Sequence, residues 1–254
     1  MYKLVVPDKL VDIWESAEAG YFPGDPMRTI AKKDFKNIKD VYKFLEKPDP
    51  LVKTIYGEPD AEGKFLFPMM EDPDPGVEPH RGVIGDQSSY WHSETIKEHA
   101  ALVTYNLREA GVRPLYAAFL GVMHDCGKKY TAETNRKGEV WFNGHELVSA
   151  VLAASWSKNW KWLLTERERK VLIAVVYGHM SCLIDWHKGT AMSARAEHRY
   201  LAEATKFLNS ETDALKAYGL TCILGACDEG ARNGAAVDKV RVSKGKKIID
   251  EVMG

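Results

Sequence analysis

Long apolar runs are missing from this chain. The longest, residues 116–123 and 171–176, are far too short to cross a bilayer as a helix. Cysteine is scarce: Cys126, Cys182, Cys222 and Cys227 form no CxxC pair, and three lie within helix-like runs. They read as small buried hydrophobes in a reducing compartment. No excess charge of either sign exists, since the formal net charge is −1. Bulk attraction to nucleic acid or anionic membrane is thereby excluded, and any polyanion contact must come from a local patch. Internal repeats and low-complexity tracts are absent, and no GxxxxGK[ST] phosphate loop occurs. The opening residues MYKLVVPDKL lack the apolar core of a signal peptide, so a cytoplasmic protein is expected. What is present is ordinary for a globular chain, with 45% hydrophobic and 28% charged residues over a length of 254. That length suffices for one large domain, or for a domain with an extension.

The first ninety residues differ from the rest. Short helical patterns fall at 7–19 and 38–46, separated and followed by GYFPGDP, EKPDP, YGEPDAEGK and EDPDPGVEPHRG. Proline removes a backbone donor and biases its predecessor away from helix, so long regular elements are not expected there. Scattered aromatics (Tyr21, Phe22, Phe65, Phe67) argue against simple disorder and for an extension wrapped on a core.

From Ser93 the pattern turns helical. Thr95 and Glu98 have capping-box spacing, and Ile96, His99, Val103 and Leu107 recur at three and four residues, which puts His99 on an inward face. Gly111 ends that helix, and Pro114 suits the first turn of the next, which runs towards Gly127. A small hairpin is expected over 130–142 with its turn at 135–138. Further helices are expected from residue 143 or 144 to about 160, from the Thr165/Glu168 capping box to near His179, over 194–208, and over 213–228. Gly219, Gly225 and Ala226 permit close packing of the last of these. The segment from Asp238 reads as a short, basic, mixed tail.

Six metal-suited side chains fall within or beside these helices: His99, the adjacent His124 and Asp125, His145, His179 and Asp228. Imidazole and carboxylate together suit Mn, Co, Ni, Fe or Zn, and suit Mg less. A polar group near an apolar face costs free energy unless something satisfies it, and a shared ion could satisfy all six. Adjacent helical residues point about 100° apart, so His124 can face one ion while the two oxygens of Asp125 reach towards another. A lone histidine in an apolar helix is more often a hydrogen-bonded core residue; four histidines and two aspartates at successive helix ends favour one or two divalent ions. His92 could serve as a general acid or base, or orient substrate. His80, His187 and His198 read as solvated or structural. Lys128 and Lys129 follow the doublet at a helix C-terminus, where cations are favoured by the dipole, and both are candidates for binding phosphate.

The stretches WHSETIKEHAALV, FLGVMHDCGKKYT, VWFNGHELVSA, VVYGHM and GACDEGA, in that order, resemble the HD-domain metal-dependent phosphohydrolase superfamily. The resemblance covers residues 91–231 and is similar in style to modules attached to tRNA nucleotidyltransferases and to some polynucleotide kinases. It implies an all-α fold, an HD-domain helical bundle with a small β-hairpin and an irregular proline-rich N-terminal extension. The expected division is an extension over 1–90, the metal-binding helical domain over 91–237 and the basic tail over 238–254. It also implies one ion held by His99, His124, Asp125 and Asp228, and a second held by His145 and His179 with Asp125 shared. His92 is the alternative first ligand. The activity implied is hydrolysis of a phosphomonoester or phosphodiester of a nucleotide or RNA end. Asp125, Lys128 and His92 would be the catalytic residues, with Lys128 and Lys129 on the substrate. Two alternatives share the ligand set: a di-iron oxygenase, and a non-catalytic nucleotide-binding module. The expected partner is a phosphorylated small molecule or nucleic-acid end, with no membrane and no obligate protein partner.

Overall fold

The computed structural model describes residues 9–18, 96–131, 133–134, 140–161, 163–186, 194–232 and 235–253. They form a mostly helical structure of α1 (Leu10–Glu18), α2 (Ile96–Glu109), α3 (Pro114–Met123) and α4 (Lys128–Thr131). These are followed by α5 (His145–Trp156), α6 (Glu166–Trp186), α7 (Ala194–Leu208), α8 (Glu211–Glu229) and α9 (Lys239–Met253). Strands β1 (Glu133–Thr134) and β2 (Val140–Trp141) pair antiparallel between α4 and α5. The turn expected at 135–138 lies outside the described residues, as do the expected helix at 38–46, His80, His92 and His187. No helix among the described residues is long and apolar enough to cross a membrane.

The centre of the structure is α8, which packs against α2, α6, α7 and α9. Every residue from Ala217 to Asp228 is buried, including the small residues that let neighbouring axes approach. A Cβ on Gly219 would stand 2.8 Å from the Gly245 carbonyl oxygen, and one on Gly245 would stand 2.5 Å from that of Gly219. The two glycines therefore face each other across the α8–α9 contact. This pair explains why the segment read as a tail is instead a helix with a buried stripe at Arg241, Val242 and Gly245. Its abundance of lysine hides that stripe from a count of charges.

Of the first ninety residues, α1 is described, and it belongs to the core. Leu10, Ile13 and Ala17 recur at helical spacing and are fully buried. Burial of Leu10 and Ile13 stabilises by at most about 1.5–3 kcal/mol each. Trp14 meets Phe207 edge-on at 6.1 Å, and the Leu10 amide donates to Glu203 Oε1 at 3.0 Å.

The Thr165/Glu168 capping box forms as the spacing predicts. The Glu168 amide donates to Thr165 Oγ1 at 3.2 Å, and the Thr165 amide donates to Glu168 Oε2 at 2.8 Å. The helix it starts does not stop near His179 but continues to Trp186. Gly178 is no terminator here. A Cβ at this position would lie 2.3 Å from the Tyr200 ring, so the glycine lets α7 lie against α6.

Candidate metal centre

Four helix ends and one helix interior bring the six candidate side chains together. His99 lies in the first turn of α2, His124 caps the C-terminus of α3 with Asp125 beside it, and His145 opens α5. Asp228 closes α8, and His179 sits inside α6. All six are buried, none more than 5% exposed. Their donor atoms make two triads, each with all three atoms within 4.8 Å of one another: His99, His124 and Asp228, and Asp125, His145 and His179.

Asp125 stands between the triads. Its Oδ2 lies 3.3 Å from His124 Nε2 and 3.6 Å from His99 Nε2, and its Oδ1 lies 3.1 Å from His145 Nε2 and 3.9 Å from His179 Nε2. One oxygen thus faces each histidine pair. Burial disfavours its charge, but the neighbouring His124 and Lys128 outweigh that and hold the carboxyl well below its ordinary range. Asp228 behaves the same way: burial pushes its carboxyl up, while Arg232 and His99 hold it down more strongly.

Backbone carbonyls set the histidine tautomers. His124 Nδ1 lies 3.0 Å from the Gly121 oxygen, His145 Nδ1 lies 2.8 Å from the Phe142 oxygen, and His179 Nδ1 lies 2.6 Å from the Val176 oxygen. A carbonyl can only accept, so each Nδ1 carries the proton and each Nε2 of the neutral ring carries a lone pair. His145 Nε2 and His179 Nε2 are 3.2 Å apart. Two lone pairs at that distance repel unless a cation lies between them. Burial first, then the His145 and His124 rings, push the His179 pKa down to about 3, which keeps that ring a neutral lone-pair donor. His124 Nε2 is buried with no hydrogen-bond partner. These side chains therefore fit a metal ion, as buried histidine and aspartate groups that could hold one.

Glycine and serine behind the doublet keep the helices close. The Gly127 amide donates to Ser149 Oγ at 2.8 Å. A Cβ at Gly127 would stand 2.3 Å from the His145 carbonyl oxygen. Only glycine lets the chain after Asp125 lie this near the start of α5. Gly144, in the left-handed region at φ 76°, turns the chain into that helix.

Two cations complete the centre. Lys128 Nζ lies 2.6 Å from Asp125 Oδ2 and 5.5 Å from the centre of the Phe142 ring. Arg232 Nη2 lies 3.1 Å from Asp228 Oδ1 and 3.3 Å from Oδ2. Lys128 was a sequence candidate, and Arg232 was missed. Its signal was the spacing of four residues from Asp228, which places a cation one helical turn beyond a carboxylate. Lys129 belongs to α4 by its backbone, but its side chain lies outside the described residues, as His92 does entirely.

Comparison of the chain with protein-family models, with curated proteins and with solved structures finds no match.

Proposed function

We propose that this protein is a metal-dependent phosphohydrolase that cleaves a phosphomonoester or phosphodiester of a nucleotide or RNA end. The observation that carries this reading is the charge of the buried centre. Its two carboxylates, Asp125 and Asp228, already have Lys128 and Arg232 against them. With the imidazoles acting as neutral lone-pair donors, the centre is close to electroneutral before any cation arrives. A divalent ion therefore brings surplus positive charge into a buried place, where unpaired charge is costly. An anionic phosphoryl group offsets that surplus. A neutral substrate does not.

When bound, a divalent transition-metal ion supplies Lewis acidity towards water and towards a phosphoryl oxygen. His99, His124 and Asp228 would hold one ion and His145 and His179 a second, with Asp125 bridging. Asp125 is suited to the bridge because its two oxygens face opposite histidine pairs. Lys128, already inside the centre, is placed to take up negative charge that develops on phosphoryl oxygens. The ordered resemblance of the motif stretches to the HD-domain superfamily supports the same chemistry.

The test is a screen of phosphorylated compounds against purified protein loaded in turn with Mn, Co, Ni, Fe and Zn. Phosphate release, or diester cleavage, with at least one of these ions is expected, and loss of it in Asp125→Ala. Oxygen consumption with an iron-dependent spectrum and no phosphoester turnover would replace the hydrolase with an oxygenase. Nucleotide binding without any turnover would replace it with a binding module.

A further inference from the structure

Helices α3, α6 and α8, which carry His124, His179 and Asp228, also line a groove nearer their N-termini. Its polar half, a cavity of about 420 Å³, is bounded by Arg113, Tyr116, Thr165, Arg167, Thr212 and Lys216. Its apolar half, about 400 Å³, is bounded by Val112, Leu220, Ile223 and Ile249, with Lys246 and Asp250 at its edge. Arg113, Tyr116 and Lys216 line both halves, so the two adjoin at these side chains. On α8 the wall is a single stripe from Thr212 to Ile223, roughly 16 Å long at the helical rise. Lys216 and Asp228 lie on that same helix, roughly 18 Å apart along its axis. The Lys216 junction is thus remote from the metal centre, while the stripe's far end at Ile223 lies roughly 7.5 Å along the axis from Asp228.

Charge in the groove is uneven in a useful way. Arg113 meets Glu168 Oε1 at 2.7 Å and Arg167 meets Asp213 Oδ2 at 2.6 Å, which accounts for both carboxylates of the polar half. Among the described residues neither Lys216 nor Lys246 takes part in an ion pair. Lys216 Nζ stands 5.8 Å from the centre of the Tyr116 ring and the Arg113 guanidinium 5.0 Å from it. The junction between the halves is therefore an aromatic ring flanked by two cations, one of them without a counter-charge. Apolar walls on one side and Lys216 beside the junction complement one kind of small molecule.

We propose that this groove is a second ligand site, taking a small amphipathic anion with an apolar alkyl or aryl body and one phosphate, phosphonate, sulfonate or carboxylate head. The body lies along Val112, Leu220, Ile223 and Ile249, and the head lies beside Lys216. The cavity volumes are in the range used for such ligands. The site stands independently of the chemistry assigned to the metal centre, because the two share no side chain.

Calorimetric titration of the full chain with hexylphosphonate, in both metal-loaded and chelator-treated protein, tests the proposal. One-to-one binding is expected in both forms, at least tenfold tighter than inorganic phosphate and tenfold tighter than hexanol. Lys216→Glu with Lys246→Glu should abolish it, and Lys216→Met should weaken it about tenfold, with helix content and metal content unchanged. Asp125→Ala should leave it intact. No saturable binding, equal binding by inorganic phosphate, or loss in Asp125→Ala with retention in the lysine variants would each overturn the proposal. The last of these would put the phosphonate at the metal centre, a result that leaves the phosphohydrolase reading standing.

Discussion

The two donor triads hold the same number of ligand atoms but meet the problem of burial differently. In the first, Asp228 is neutralised by Arg232, and His99 Nε2 points at its oxygen from 2.9 Å. In the second, two imidazole lone pairs face each other at 3.2 Å, and the shared carboxylate has its lysine on the far oxygen. The first triad pairs its carboxylate within the protein but leaves His124 Nε2 buried without a hydrogen-bond partner, and the second sets two imidazole nitrogens against each other. An ion would therefore satisfy a different need in each triad: a lone unpartnered nitrogen in the first, a facing pair in the second.

Breaking the bridge should have the largest effect, because Asp125 serves both triads. Asp125→Ala is expected to leave almost no bound metal and to reduce turnover by at least roughly 100-fold, since even outer partners of ligands cost 10–100-fold. Metal content by mass spectrometry and helix content by circular dichroism together check this. Retention of full metal content would contradict the bridge.

Separating the triads comes next. His145→Ala should empty the second triad and leave one ion in the first, so metal stoichiometry should fall by half in protein that binds two. Arg232→Lys, which loses the fork on both Asp228 oxygens, should instead weaken the first triad by roughly 10–100-fold while sparing the second. Equal effects of the two substitutions on both ions would erase the distinction drawn here.

Acid should act on the second triad first. The His179 pKa is pushed down to about 3 from an ordinary value of 6.5, so the unfolded chain binds more protons than the folded one between those values. Metal-free protein is therefore expected to lose stability as pH falls from about 6.5 towards 3, and His179→Gln should flatten that dependence. Melting temperatures at pH 7, 5.5 and 4 for both proteins would show it, and parallel curves would refute it.

The smallest expected effects lie behind the second triad. Gly127→Ala meets backbone of α5 at 2.3 Å and should cost about 1–3 kcal/mol by overpacking. Gly144→Ala meets nothing within 4 Å and should cost only about 1 kcal/mol, for its positive φ. Denaturant unfolding of the two variants measures the difference, and a reversed order would mean the α5 backbone yields easily.

Much of the helical order was legible along the chain. The His99, Val103 and Leu107 stripe is fully buried, and the helix expected over 194–208 spans Ala194–Leu208. The six candidates of the centre are all brought together. Legibility failed where glycine was concerned. The helix expected to end near His179 runs on to Trp186, and Gly178 within it admits the Tyr200 ring from another helix. The segment read as a basic tail is a helix, and Gly245 within it is half of a close contact with Gly219. Arg232 was missed because a single arginine after a helix is an ordinary event in any sequence.

Periodicity and residue chemistry follow from local geometry, since 3.6 residues per turn and the donor atoms of histidine and aspartate are properties of the chain itself. They determined that helices form, which faces turn inward and which side chains suit a cation. Distances between residues a hundred positions apart are not local. Only folding decided that His145 and His179 face each other through bare nitrogens, that the oxygens of Asp125 divide between two histidine pairs, and that Arg232 meets Asp228. Packing of one helix against another sets those approaches, and it depends on every side chain between them.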